Sequence, residues 1–488
     1  MIRVTNKEQA MEFPKIEVLK NEEVLDIHNS ALRILDELGF KTDSSDIAEL
    51  MRRNGVDETD GALHIPPRMV EKALDSTPKS IKLYTPSGTL SRTIGDGVPL
   101  IFTGHQAVFV LDHGVSEPRA GRKKDTRNFT RLANAVEEID GIAVQVYPQE
   151  VPGHSAIVHA MESMLTYSDK PMFFAPEHGN AFEAICDLAK AASGSSDLGE
   201  RPFLIAQPSP LSPLFWVEGS SRCIIEAAKK GIPLAILPMP VPGMAGPVTL
   251  AGALTLQHAE TLLGFVITQL VNPGTPVIYG AAWVTFDMAG GGIDIGSPEK
   301  YLLSVATPQL ARFLGLPCMA AGPDTNSHIL DIQNGVEKAL SAAADMLSGT
   351  DIIVNTGMFS NAMTVSLEQV LIDAEIVSML RRVRRGIEVN EESIAVDVIK
   401  RVGIKGEFLT DPHTLSHFKQ ELWDTRGRLF QRDKADKWIA SGAREAADRA
   451  HERVEEILSK PPREFPGSDQ LSEMEKIVAE FDKKHTLE

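Results

Sequence analysis

The chain has 488 residues, 43% hydrophobic and 24% charged, with a formal charge of -18 at neutral pH. That composition describes a water-soluble globular protein with a sizeable core, and its acidic balance argues against nucleic acid or an anionic membrane as partner. The opening MIRVTNKEQAMEF lacks the apolar centre of a signal peptide, and no run approaches eighteen uninterrupted apolar residues, so a cytoplasmic location is expected.

Residues 1–120 read as an extension of helices and β-hairpins. In EEVLDIHNSALRILDELGF, helical spacing places Val24, Ile27, Leu32, Leu35 and Leu38 on one face. The glycine-punctuated segment IGDGVPLIFTGHQAVFVLDHGVSEP predicts hairpins packed at one end of the domain that follows.

Residues 121–430 carry the principal fold. Short apolar runs recur as IAVQVYP, PMFFAPE, PFLIAQP, PLAILPM, PVIYGAAW, PCMAAGP and DIIVNTG, at start-to-start spacings of 29 to 43 residues, with helix-length segments between them. Continuously apolar strands alternating with helices predict a parallel sheet covered on both faces, and seven such units point to a (β/α)8 barrel. VGIKGEFLT, near residues 402–410, is the candidate eighth strand. An open doubly wound sheet is the alternative, but the glycines near 290 do not form G-x-G-x-x-G. Residues 431–488 read as a charged, Ala-rich C-terminal helical segment that packs on the barrel or on a second subunit.

In a (β/α)8 barrel, function belongs to the loops at the C-terminal ends of the strands. Just past the apolar runs stand Tyr147, Glu177, His178, Gln207, Met239, Met244, Trp283, Phe286, Asp324, Asn326, His328 and Phe359. This rim is rich in amides and aromatic rings and poor in charge, which suits a bulky, apolar, cationic small molecule. No G-x-S-x-G elbow, phosphate loop or H-E-x-x-H helix occurs. His154 and His159 are five residues apart instead of four, and the three cysteines, Cys186, Cys223 and Cys318, are widely separated, so no metal site is expected.

The stretch LPMPVPGMAGPVTLAGALTLQHAETLLGFVITQLVNPGTPVIYG resembles the trimethylamine methyltransferase superfamily, as do YPQEVPGH, DIGSPEKYLL, AGPDTNSHILDIQNGVEKALSAAADMLSGTDIIVNTG and GEFLTDPHTLSHFKQELW, so that the likeness spans the chain. The resemblance implies a (β/α)8 barrel that moves a methyl group from a methylated amine to the cob(I)amide of a separate corrinoid protein. Asp411-Pro412-His413 begins the corrinoid-ligating pattern D-x-H-x-x-G but lacks its glycine, so no tightly bound cofactor is expected. His413 reads instead as a residue opening a helix capped by Thr410 or Asp411.

The best-known members of that superfamily carry pyrrolysine, whose position falls by similarity near Gly322, whereas this chain has only standard residues. Relatives without pyrrolysine are linked to quaternary amines, so the resemblance implies glycine betaine as methyl donor and dimethylglycine as product. Another betaine (carnitine, proline betaine or γ-butyrobetaine), or betaine capture without chemistry, is the alternative. For such a substrate Tyr147, Trp283, Phe286 and Phe359 are candidate walls of a cation–π cage, although Trp283 could equally plug the core. Gln207, Asn326 and His328 are candidate carboxylate donors. Asp324 and His328 form the candidate catalytic pair, with the aspartate orienting the imidazole or holding the ammonium; a turn aspartate and a helix-start histidine are the plainer readings. Gly322 would leave room for substrate. Met239, Pro242 and Met244 are expected to face the corrinoid, though the prolines could serve only to turn the chain. A homo-oligomer is expected.

Overall fold

The computed structural model describes residues 15–176, 179–424 and 427–485. Its centre is an eight-stranded parallel sheet, numbered here as β1 (Leu100–Thr103), β2 (Ile142–Ala143), β3 (Met172–Phe174), β4 (Leu204–Ala206), β5 (Leu234–Ile236), β6 (Val277–Ala281), β7 (Cys318–Ala321) and β8 (Ile352–Thr356). Each strand pairs with its neighbour in chain order. β8 returns to β1 with Ile353 opposite Ile101, and a parallel bridge from Phe102 to Gly141 joins β1 to the start of β2, closing the barrel. Glycine is required at that seam: a Cβ on residue 141 would stand 2.2 Å from the Phe102 ring.

Each strand leads into a helix of the outer ring. These are α1 (Lys123–Ala135), α2 (Ala156–Tyr167), α3 (Gly179–Ser193), α4 (Glu218–Lys229), α5 (Leu250–Val271), α6 (Pro298–Phe313), α7 (Ile332–Ser348) and α8 (Leu367–Arg384). α5 is long and apolar enough to cross a membrane, but 78% of its most apolar window is buried in this protein.

The strands are apolar throughout because both faces are covered. Phe102, Phe173, Ile205, Leu237, Ile278, Met319 and Val354 pack together inside the barrel. Ile101, Phe174, Leu234, Ile236, Tyr279 and Ile353 belong to the larger cluster between the sheet and its helices.

All seven strand expectations hold, and the eighth was misplaced. Residues 402–410 contain no strand, and Val396–Val402 just before them is helical. The missing strand is β1, inside the segment expected to form only hairpins. A true hairpin, Ile81–Tyr84 with Leu90–Ile94, does lie beside it, and its Ile81, Leu83 and Ile94 join the interior cluster. Tyr84 N donates to Pro202 O ahead of β4, which puts this hairpin at the N-terminal end of the barrel.

In the first helix, Asn21–Arg33, the buried residues are Val24, Ile27 and Ala31. Leu35 is buried just beyond it, Leu32 is half-buried and Leu38 is 62% exposed. The C-terminal segment is three helices, Ala435–Ala440, Ala446–Leu458 and Ser468–His485. Gly442, at φ 96°, lies between the first two.

Candidate functional site at the barrel mouth

Residues at and just after the ends of β1, β2, β4, β7 and β8 supply the polar groups at the C-terminal end of the barrel. His105 and Gln106 follow β1. The Gln106 amide donates to the Tyr147 hydroxyl at 2.8 Å and to Ala175 O at 2.7 Å, tying three loops together. Gln106, Tyr147, Gln149 and His154 line a cleft of about 750 Å³ that opens to solvent.

His105 stands edge-on to Phe173, with ring centroids 5.3 Å apart. Burial pushes its pKa down to about 4, against the opposing pull of Asn355 and Asp324, so the ring is neutral at pH 7. His105 Nδ1, Gln145 Oε1 and Gln207 Oε1 are buried without a protein partner. Buried polar atoms of this kind call for a ligand or water, and the two amide oxygens can only accept.

Behind these groups runs a buried charged relay. Asn355 Nδ2 donates to Asp324 Oδ1 at 2.9 Å. The Lys300 ammonium, from α6, sits 2.9 Å from Asp324 Oδ2 and also donates to Ala321 O and Ser341 Oγ. Burial opposes the charge on Lys300, yet Asp324 and Asp345 hold its pKa above the usual value. Burial raises the Asp345 carboxyl to about 7, with Lys300 pulling the other way. A parallel device stands behind β8, where Asp373 accepts from Lys338 Nζ and from Gly357 N, each at 2.7 Å. Removing one partner of such a pair would strand a buried charge, so these lysines fix the backbone of the mouth.

Several expected site residues have other work. Trp283 is 2% exposed and its indole N–H donates to Thr307 Oγ1 of α6 at 2.7 Å. It follows Tyr279 and Ala281 on the outward side of β6, in the layer beneath the helices, so it is a core tryptophan and not a cage wall. Phe286 lies on a hairpin, Thr285–Asp287 with Gly292–Asp294, and packs against Val241, Val284 and Ile295. Asn326 is consumed in holding that hairpin: its Oδ1 accepts from Ile295 N and its Nδ2 donates to Asp294 Oδ1.

His328 is exposed and pairs with Ser360 Oγ at 2.6 Å. Asp324 is committed to Lys300 and Asn355, so it does not orient His328. Phe359 is 1% exposed, in the strand Met358–Phe359 of a small sheet above the barrel.

Gly322 is buried, and a Cβ there would stand 2.1 Å from Asp345 Oδ2. Its missing side chain makes room for that carboxylate and not for substrate. Met239 and Met244 are 43% and 57% exposed. Pro242 is instead buried within the turn whose Val241 O accepts from Met244 N, Ala245 N and Gly246 N. Glu177 and His178 lie outside the described residues.

Asp411 caps the helix Pro412–Glu421, accepting from His413 N at 2.9 Å, so His413 opens a helix. Tyr147, Gln207 and Asp324 remain at the mouth. His105, Gln106, Lys300 and Asp345 join them without having been singled out in the sequence. For the first two, the available signal was the apolar run PLIFT directly before GHQ. Lys300 in PEKYLL gives no local sign of burial.

Comparison with known proteins places this geometry in a family. Residues 2–480 match the family described as Trimethylamine methyltransferase (MTTB). A trimethylamine methyltransferase MttB of Desulfitobacterium hafniense (strain DSM 10664 / DCB-2) is 32% identical over 441 residues, covering 90% of this chain and 88% of the relative. A glycine betaine methyltransferase of Desulfitobacterium hafniense (strain Y51) is 32% identical over 462 residues, covering 94% and 96%. Among solved structures, the Methanosarcina barkeri monomethylamine methyltransferase (MtmB) aligns with a TM-score of 0.44 at 13% identity, over 92% of this chain and 93% of its own. The chain belongs to the trimethylamine methyltransferase family.

Proposed function

We propose that the protein transfers a methyl group from a quaternary amine, glycine betaine in the first instance, to a reduced corrinoid carried by a separate protein in the cytoplasm. The observation that carries this reading is the pair of buried amide oxygens at the mouth, Gln145 Oε1 and Gln207 Oε1, which have no protein partner and suit a cation. His105 is held neutral at pH 7, and Asp324 is tied to Lys300 and Asn355. The neutral imidazole has no acidic proton to give at that pH.

A quaternary ammonium needs none. When its methyl–nitrogen bond breaks with the electron pair left on nitrogen, dimethylglycine departs neutral at that nitrogen. A neutral imidazole also avoids repelling a cation, and the free oxygens of Gln145 and Gln207 can receive the polarised methyl C–H groups of the ammonium. Tyr147 offers an aromatic face on the cleft that it shares with Gln106. The similarity to a glycine betaine methyltransferase over 94% of the chain supports the choice of substrate.

A reduced corrinoid supplies the nucleophile that accepts the methyl group. The residues around the mouth fit such a partner: Leu211, Met239, Met244, Val248 and Met288 expose 43 to 76% of their surface, an apolar rim suited to a broad macrocycle. The N–H groups and Pro242 of the turn 241–246 give that rim a fixed shape before docking, which reduces the entropy lost on association.

The test combines purified protein, glycine betaine and chemically reduced cobalamin. Loss of the cob(I)alamin absorbance with matching formation of dimethylglycine supports the proposal. Saturable betaine binding with an unchanged spectrum would make the protein a binding module, and turnover only with a longer betaine would move the substrate within its class.

A further inference from the structure

Away from the mouth, four potential metal ligands converge from three distant parts of the chain. His113 lies in the loop between the short strands Phe109–Val110 and Arg119–Ala120. Glu368 is the second residue of α8. Asp448 and His451 stand three apart on the helix Ala446–Leu458, hence on one face.

The rings of His113 and His451 stack with centroids 4.2 Å apart and planes 13° from parallel. His451 Nδ1 is 2.9 Å from Glu368 Oε1, and His113 Nε2 is 3.5 Å from Asp448 Oδ1. One ligand atom from each of His113, Glu368 and His451 lies within 4.8 Å of the other two.

We propose that His113, Glu368 and His451, with Asp448 completing the set, bind a zinc-class divalent cation that staples the helix Ala446–Leu458 to the top of the barrel. Two carboxylates beside two imidazoles form a donor set whose negative charge a divalent ion offsets. Imidazole with carboxylate selects zinc and its transition-metal neighbours over magnesium and calcium, which favour all-oxygen sites.

Tetrahedral zinc, with bonds of about 2.0–2.2 Å to nitrogen and oxygen, needs its ligand atoms roughly 3.4 Å apart. The cluster must therefore tighten by about 1 Å, on the scale of side-chain rotation. Two nitrogens can aim at one ion only once the rings tilt out of their stack. Side-chain exposures of 28% for His113 and 38% for His451 leave room for that, while Glu368, at 6%, supplies a fixed anchor. The site uses none of the groups at the mouth, so its role is to hold the helix.

The experiment is calorimetric titration of the chelator-treated full-length protein with zinc chloride and, separately, magnesium chloride. One equivalent of zinc should bind with a Kd in the micromolar range or tighter and raise Tm, because binding favours the folded state, while magnesium does neither. His113→Ala and His451→Ala should each weaken zinc binding by at least about tenfold, and Glu368→Gln should do the same if either alanine variant fails to fold. His417→Ala, at a second stacked histidine pair on the helix Pro412–Glu421, should leave the affinity unchanged. Absence of saturable zinc uptake, or uptake that survives loss of both His113 and His451, would overturn the site.

Discussion

At the scale of single residues, the mouth is governed by groups that never touch a ligand. Gly322 has no side chain because Asp345 occupies the space one would need, and Asp345 in turn lies beside the Lys300–Asp324 pair. Gly322→Ala must push that carboxylate away. It should lower stability by about 1–3 kcal/mol, the usual cost of overpacking, as measured by urea denaturation, and should reduce turnover by disturbing Asp324. An alanine variant of unchanged stability and activity would mean that Asp345 can move freely. Asp324 was legible in the sequence as a polar residue just past a strand. Lys300 and Asp345 were not, because each sits on a helix whose inward face emerges only once three elements are packed together.

At the scale of elements, α5 shows how a buried charge shapes a loop. Glu260, at 0% exposure on α5, accepts from Ser212 Oγ and from Leu214 N, each at 2.8 Å, and so holds the loop after β4. Burial raises its pKa from the ordinary 4.5 to about 7. Between those two values the folded protein keeps a proton that the unfolded chain has released, so this group's contribution to stability falls as pH rises from 4.5 to 7 and is constant above. Glu260→Gln reproduces the protonated form and lacks that slope. The stability of the variant relative to the natural protein should therefore climb by about 3 kcal/mol from pH 4.5 to 7.5, at about 1.4 kcal/mol per pH unit, in paired denaturation curves. A difference that does not vary with pH would contradict a buried, titrating Glu260.

The same scale explains what the strand pattern conveyed and what it concealed. Seven strands announced themselves as apolar runs with helices between them. β1 did not, because Leu100–Thr103 follows a hairpin and precedes another short strand, so it read as one more hairpin strand. Losing β1 also hid His105 and Gln106. Trp283 misled in the opposite sense: it stands just past the end of a strand, but the alternation along β6 turns it outward to Thr307.

At the scale of the whole molecule, residues 381–424 stand out because none of them is buried. The segment includes Ile387, Val389, Ile404 and Leu409 at 70 to 100% exposure. An arm with so much apolar surface and no core of its own suits a contact with another molecule, and we propose a second copy of this chain as its cover. Analytical ultracentrifugation should give a mass that is a multiple of 53.1 kDa, and Ile404→Glu with Leu409→Glu should lower it. A monomer in the natural protein would remove self-assembly as the arm's purpose.

A quaternary nitrogen needs no acid to leave, so the proposed reaction at the barrel mouth separates quaternary from tertiary amines. Glycine betaine and trimethylamine, supplied separately at equal concentration with reduced cobalamin, distinguish the two by their products. A quaternary-amine enzyme yields dimethylglycine from the first and no dimethylamine from the second. Comparable rates with trimethylamine would contradict the claim, since some standard residue would then be activating the amine.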